Sequence, residues 1–171
     1  PLYSSAASDV YKRQILNNHE GMNNMTTYST RHLLYLKTAI SNETETRIQY
    51  SDYHITVPFT PQKMIHYLLE LNHTSLQVQS SKAKRLLNIN KLIPIYINRD
   101  TILFPLTQKR ASIKYFINAR KIIGIHSSVD STIIIFDNTT LLRTEIPYTL
   151  VSKKWQESLT LAQIIEKTSA Y

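Results

Sequence analysis

Apolar residues fall into two regimes along this chain: an alternation that predicts strands, and a three-to-four spacing that predicts helices. Between Leu33 and Val57, short runs rich in Tyr, Ile and Thr are broken at Ser41-Asn42 and Ser51-Asp52, which predicts three strands in an antiparallel meander. Thr60 then offers a side-chain cap and Pro61 a first helical position, where a missing N–H costs nothing. Met64, Ile65, Leu68, Leu69 and Leu71 supply the apolar face of that helix. A second helix is predicted from Thr74 or Ser75 to about Leu87, with Leu76, Val78, Ala83, Leu86 and Leu87 as its apolar positions. From Ile93 strands return, over 93–97, 101–104, 113–117, 121–125, 132–136 and 141–146. Asp137-Asn138 is read as a hairpin turn, because both residues tolerate positive φ and Thr139 follows them. The stretch from Thr149 to Lys167 places Leu150, Val151, Trp155, Leu159, Leu161, Ile164 and Ile165 at roughly helical spacing, a helix for packing or dimerisation. The expected fold class is therefore α+β: a β-rich single domain of antiparallel strands with an inserted helical pair and a C-terminal helix.

Composition narrows the picture. The first fourteen residues, PLYSSAASDVYKRQ, read as a translated sequencing adapter, so residues 1–24 are set aside as scar and leader and 25–171 as the domain. Met22 and Met25 are the candidate starts, and Glu20-Gly21, codable by a purine-rich ribosome-binding sequence, favours Met25. The chain has no cysteine, which removes disulfides, thiolate ligands and cysteine nucleophiles together. No apolar run approaches the ~20 residues of a membrane helix, so a soluble cytoplasmic product without membrane contact is expected.

Catalysis finds no constellation to rest on. The six histidines are scattered, and only His66 and His73, two turns apart, share a candidate helical face, so no metal site is expected. Phosphate-loop, dinucleotide, nucleophile-elbow and zinc-protease motifs are all missing. With only two glycines, Gly21 and Gly124, a backbone cradle for phosphate is disfavoured as well. Neither an enzyme nor a cofactor-dependent protein is expected.

Charge points elsewhere. Lys and Arg number 20 against 12 acids, a formal net charge of +8, of which the adapter-like segment contributes one through Lys12 and Arg13 against Asp9. That balance suits a phosphate backbone, although basic proteins without such a partner are common. The second helix carries Gln77, Gln79, Ser80, Lys82, Lys84 and Arg85 between its apolar positions, a surface for phosphates and base or sugar edges or, equally, a solvated face. Gln108, Lys109, Arg110, Ser112 and Lys114 follow a strand stopped at Pro105, and Asn118, Arg120 and Lys121 follow Phe116-Ile117. Cations on short loops of a rigid sheet suit a narrow minor groove, where A·T tracts concentrate negative potential. Phe104, Tyr115, Phe116, Phe136 and Trp155 are assigned to the core.

The order of parts from Thr101 to Ser152 is more specific than any of these features. Phe104-Pro105 closes a strand, Phe116-Ile117 follows about a dozen residues on, Thr132, Ile133, Ile135, Phe136 and Asn138 form a strand and turn, and Glu145, Ile146, Pro147 and Ser152 come next. This resembles the ComK family of competence transcription factors, with its Phe-Pro-Thr, its Trp-Ile pair, its T-x-I-x-F-x-N-G and its Pro-x-Ser stretch. Upstream, Thr74-Ser75 stands where the family carries Gly-Ser-Ser, and Ile93-Pro94-Ile95 where it carries Pro-Pro-Ile or Ile-Pro-Ile. The resemblance runs from about Leu33 to Ser158. The departures are Thr139 for the glycine after the Asn, Phe116 for the Trp, and Val78-Gln79-Ser80 for a Gly-Arg-Lys, with the nearest cations displaced to Lys82, Lys84 and Arg85.

The resemblance implies an activator that binds A/T-rich promoter boxes as an oligomer, largely through the minor groove, and switches on genes for natural transformation. It implies double-stranded DNA and further copies of the chain as partners, with RNA polymerase and a Clp-protease adaptor beside them, in the nucleoid. DNA contacts are expected from Thr74, Ser75, Lys82, Lys84, Arg85, Lys109, Arg110, Lys114, Arg120 and Lys121. The alternative is a paralogue that does not bind DNA and acts by heterodimerisation or by titrating the adaptor.

Overall fold

In the computed structural model the order of elements follows the hydrophobic pattern. The described residues are 30–40, 43–107 and 110–169. The adapter-like segment, the leader up to residue 24, both candidate start methionines and the loop residues Gln108 and Lys109 lie outside the described residues. The chain divides into two units, Pro1–His32 and Leu33–Tyr171; in the first, residues 30–32 are described and helical. The second begins with β1 (Leu33–Thr38), β2 (Thr46–Tyr50) and β3 (His54–Val57), which lead into α1 (Pro61–Leu71) and α2 (Leu76–Leu87). Next come β4 (Ile95–Asn98), β5 (Thr101–Pro105), β6 (Tyr115–Asn118), a 3-10 turn at Ala119–Lys121, β7 (Ile122–Ser128), β8 (Ser131–Phe136), β9 (Leu141–Thr144) and α3 (Tyr148–Thr168).

The strands form two sheets in which every pairing is antiparallel. The larger has the order β3-β2-β1-β6-β5-β4 and the smaller β7-β8-β9. Because β3 and β4 stand at opposite edges of the larger sheet, the chain must cross it between them, and the inserted helical pair makes that crossing. The expected α+β architecture is the one observed.

Local chemistry sets the helix starts. Thr60 Oγ1 accepts from the Lys63 N–H at 3.3 Å and Pro61 takes the first position of α1. Ser75 caps α2, accepting from the Val78 N–H at 3.3 Å, and Asn88 ends that helix in the left-handed region. Val78 is 57% exposed, while Ala83 is the buried residue of α2. Five residues separate them, which turns Val78 about 140° away from Ala83 round the helix.

The central strand β1 is buried on both faces. On one side Ile102, Phe104 and Ile117 pack with Phe136 of the small sheet and with Val151, Leu161 and Ile165 of α3. Opposite them lie Leu36, Ile48 and Leu103, on the side covered by Met64, Ile65, Leu68 and Leu69 of α1. The β8–β9 turn differs from expectation in its details. Thr139 N–H donates to Phe136 O at 2.9 Å and Phe136 N–H to Thr140 O at 3.0 Å, and positive φ falls on Thr139 (70°) instead of Asp137 or Asn138. This is a three-residue hairpin loop whose left-handed position is normally given to glycine.

Candidate nucleic-acid interface

Two of the ten candidate residues spend their side chains on α2 itself. Ser75 is its cap, and Thr74 Oγ1 accepts from Gln79 Nε2 at 3.1 Å. The cations further along are better placed for a partner. Lys84 and Arg85 are exposed and Lys82 is half-buried, and none of the three forms an ion pair among the described residues. Lys84 and Arg85 stand in the last turn, where the helix dipole leaves partial negative charge that stabilises cations.

The loop cations divide between opposite ends of the larger sheet. Arg110, exposed, and Lys114, half-buried, belong to the β5–β6 connection; Lys109 lies outside the described residues. Lys114 lines a groove of about 210 Å³ with Gln62, Leu76 and Phe116, so the start of α2 and this loop meet in one place. Arg120 and Lys121 follow β6 at its other end. Six residues of mostly extended chain separate Lys114 from Arg120, roughly 20 Å, so the two loops do not form one patch.

Arg120 and Lys121 are each engaged within the protein. Arg120 pairs with Glu166 of α3, and Lys121 Nζ lies 3.0 Å from Asp137 Oδ2. Exposed pairs of this kind are worth little and exchange readily. Both line a cleft of about 330 Å³ with Arg99, Asp100 and Glu166. Burial raises the Tyr96 hydroxyl above its ordinary pKa, and the Glu166 charge adds to the shift.

Arg99 belongs with this group, and its place in the chain carried a signal: a cation in the tight turn between two predicted strands. Asn118, read from the sequence as binding chemistry, is instead wholly buried. Its Nδ2 donates to Leu33 O at 2.8 Å and Asp100 O at 3.3 Å, and its Oδ1 accepts from the N–H groups of Ile102 at 3.3 Å and Arg120 at 3.2 Å. It is a clamp joining β1, the β4–β5 turn and the 3-10 turn.

No group of His, Asp and Glu among the described residues is arranged to hold a metal ion, and no described helix is long and apolar enough to cross a membrane. The described candidate cations of this basic α+β domain are carried on one helix and on loops at both ends of a sheet. The chain belongs to the ComK family: the family model described as ComK protein matches residues 28–170. That family is one of competence transcription factors and not of enzymes. Neither the curated proteins nor the solved structures hold a match to the chain.

Proposed function

We propose that the protein is a sequence-specific activator of competence genes that binds A/T-rich promoter boxes as a homo-oligomer, in the cytoplasm and on the nucleoid. The observation carrying this reading is the outward side of α2. Lys84 and Arg85 are exposed there without ion pairs among the described residues, and no acid occurs between Leu76 and Leu87. Cations fixed on a helix and left un-neutralised by their own protein displace the counterions condensed on a duplex, which supplies affinity. Phosphate contacts set the register; preference for A·T pairs then comes from guanidinium groups entering a narrow minor groove, for which Arg85 and Arg110 are exposed. RNA polymerase at the promoter and a proteolytic adaptor are the protein partners this reading brings.

Val78-Gln79-Ser80, with no cation at any of the three positions, favours the second reading, a paralogue that pairs with an intact activator and does not touch DNA. Titrating an A/T-rich duplex across a salt series separates the two. The first reading expects log K to fall linearly with log salt, and Lys84→Glu with Arg85→Glu to lower the magnitude of that slope by about 2. A folded wild-type protein without measurable duplex affinity at low salt leaves the second reading standing.

A further inference from the structure

Lys37 of β1 and Arg47 of β2 are register partners, directly opposite each other in an antiparallel pair. The row continues to Thr56 on one side and Tyr115 on the other, so these four side chains share a face of the larger sheet. Like charges directly opposite in a sheet repel, and both cations are half-buried, where water screens them less. Neither has an ion-pair partner among the described residues. The Arg47 Nε atom is buried and has no hydrogen-bond acceptor. An unsatisfied buried donor next to an opposed like charge is costly twice over, and one anion bound between them would relieve both terms.

The surroundings agree. Burial, and then the Arg47 charge, hold the Lys37 amine below its ordinary pKa. Tyr115, the next residue of the row, opens into a cleft of about 790 Å³ that Arg143 also lines. Glu145 and Asp130 line that cleft and neither Lys37 nor Arg47 does, so the cleft itself is not the anion's seat, and the donors to be considered are those of the β1–β2 row. Planar guanidinium with a neighbouring ammonium is the donor set that suits tetrahedral phosphate oxygens.

We propose that Lys37 and Arg47, opposed across β1 and β2 with a buried unpartnered guanidinium N–H, bind a phosphate group. The source is either free phosphate or the phosphodiester of a DNA backbone. The site stands independently of the helix α2 interface.

The test compares melting of the full chain in 10 mM sodium phosphate and in sodium chloride of matched ionic strength, too dilute for general salting-out stabilisation. Wild type is expected to melt about 4 °C higher in phosphate if that concentration is ten times Kd. Lys37→Met and Arg47→Met are each expected to lose this response while melting no lower than wild type in chloride, because each removes the repulsion. Equal melting of wild type in both salts, or an undiminished phosphate response in both variants, overturns the proposal. Should either variant fail to fold, phosphorus NMR of inorganic phosphate with wild-type protein decides: line broadening reversed by sulfate but not chloride is expected, and no broadening is the contrary result. Adding an A/T-rich duplex identifies the source. Displacement of phosphate, with a duplex salt slope lowered by about 1 in Arg47→Met, assigns the site to the DNA backbone; phosphate that stays bound while duplex is added assigns it to free phosphate. A wild type that binds phosphate but no duplex loses the DNA reading and keeps this site.

Discussion

The indole Nε1–H of Trp155 donates to the carbonyl of Ala119 at 3.0 Å, joining α3 to the 3-10 turn that follows β6. Trp155 therefore acts in folding, and a ring held at its polar edge by backbone is poorly placed to stack on a base. Trp155→Phe is expected to cost about 1 kcal/mol through the lost bond and to leave duplex affinity per folded molecule unchanged. Denaturant melts together with a titration corrected for folded fraction check this. A variant with normal stability and no affinity would contradict it.

Phe136 ends β8 wholly buried, its ring centroid 5.7 Å from that of Tyr35. Phe136→Ala should cost about 3–5 kcal/mol, the range for emptying an aromatic site in a core. Chemical denaturation at constant m value is the measurement, and a loss well under 2 kcal/mol would mean that the two sheets close over the gap.

Thr139 sits at φ 70° at the position where the family pattern has glycine. A β-branched residue in the left-handed region is strained by roughly 1–2 kcal/mol, and glycine gives back part of that by loosening the unfolded chain. Thr139→Gly is expected to stabilise the protein by roughly 1 kcal/mol net, read as a rise in Tm. A lower Tm would show that the Thr139 side chain contributes something beyond the turn.

Most of the fold was legible because its signals are local. Thr60-Pro61, Ser75 and the Ile-Ile-Ile run before Phe136 each fix an element through short-range chemistry, and the structure follows them. What sequence could not show is long-range. Asn118 reads as one more polar residue after a strand until Leu33, 85 positions away, is seen to accept its proton. Val78 is apolar and yet exposed, because helix phase is set by what α2 packs against. Lys37 and Arg47 alternate with apolar neighbours as any half-exposed strand residues do, and only the register of β1 on β2 makes them face each other. The pairings of Arg120 with Glu166 and of Lys121 with Asp137 were hidden for the same reason.

The last prediction concerns alkaline pH. Burial raises the hydroxyls of Tyr35, Tyr96 and Tyr115 above their ordinary value, with the charges of Glu166 on Tyr96 and Glu145 on Tyr115 as second causes. For Tyr35, burial outweighs the opposing pull of Arg47. Between the unfolded value of 10.0 and the higher folded values the native state binds more protons, so stability falls with rising pH. Their contribution is fully present below pH 10 and lost as pH climbs through the folded values. Lys37 acts with the opposite sign: its folded value lies below 10.5, so its contribution is present above that pH and lost as pH falls through the folded value. Above pH 10.5 the Lys37 contribution no longer changes, so the hydroxyls set the direction and stability falls, which a series of melts would register. Tyr35→Phe should make that loss shallower. A melting temperature that is flat or rising from pH 10.5 to 12 would contradict the desolvation of these hydroxyls, buried at Tyr35 and half-buried at Tyr96 and Tyr115.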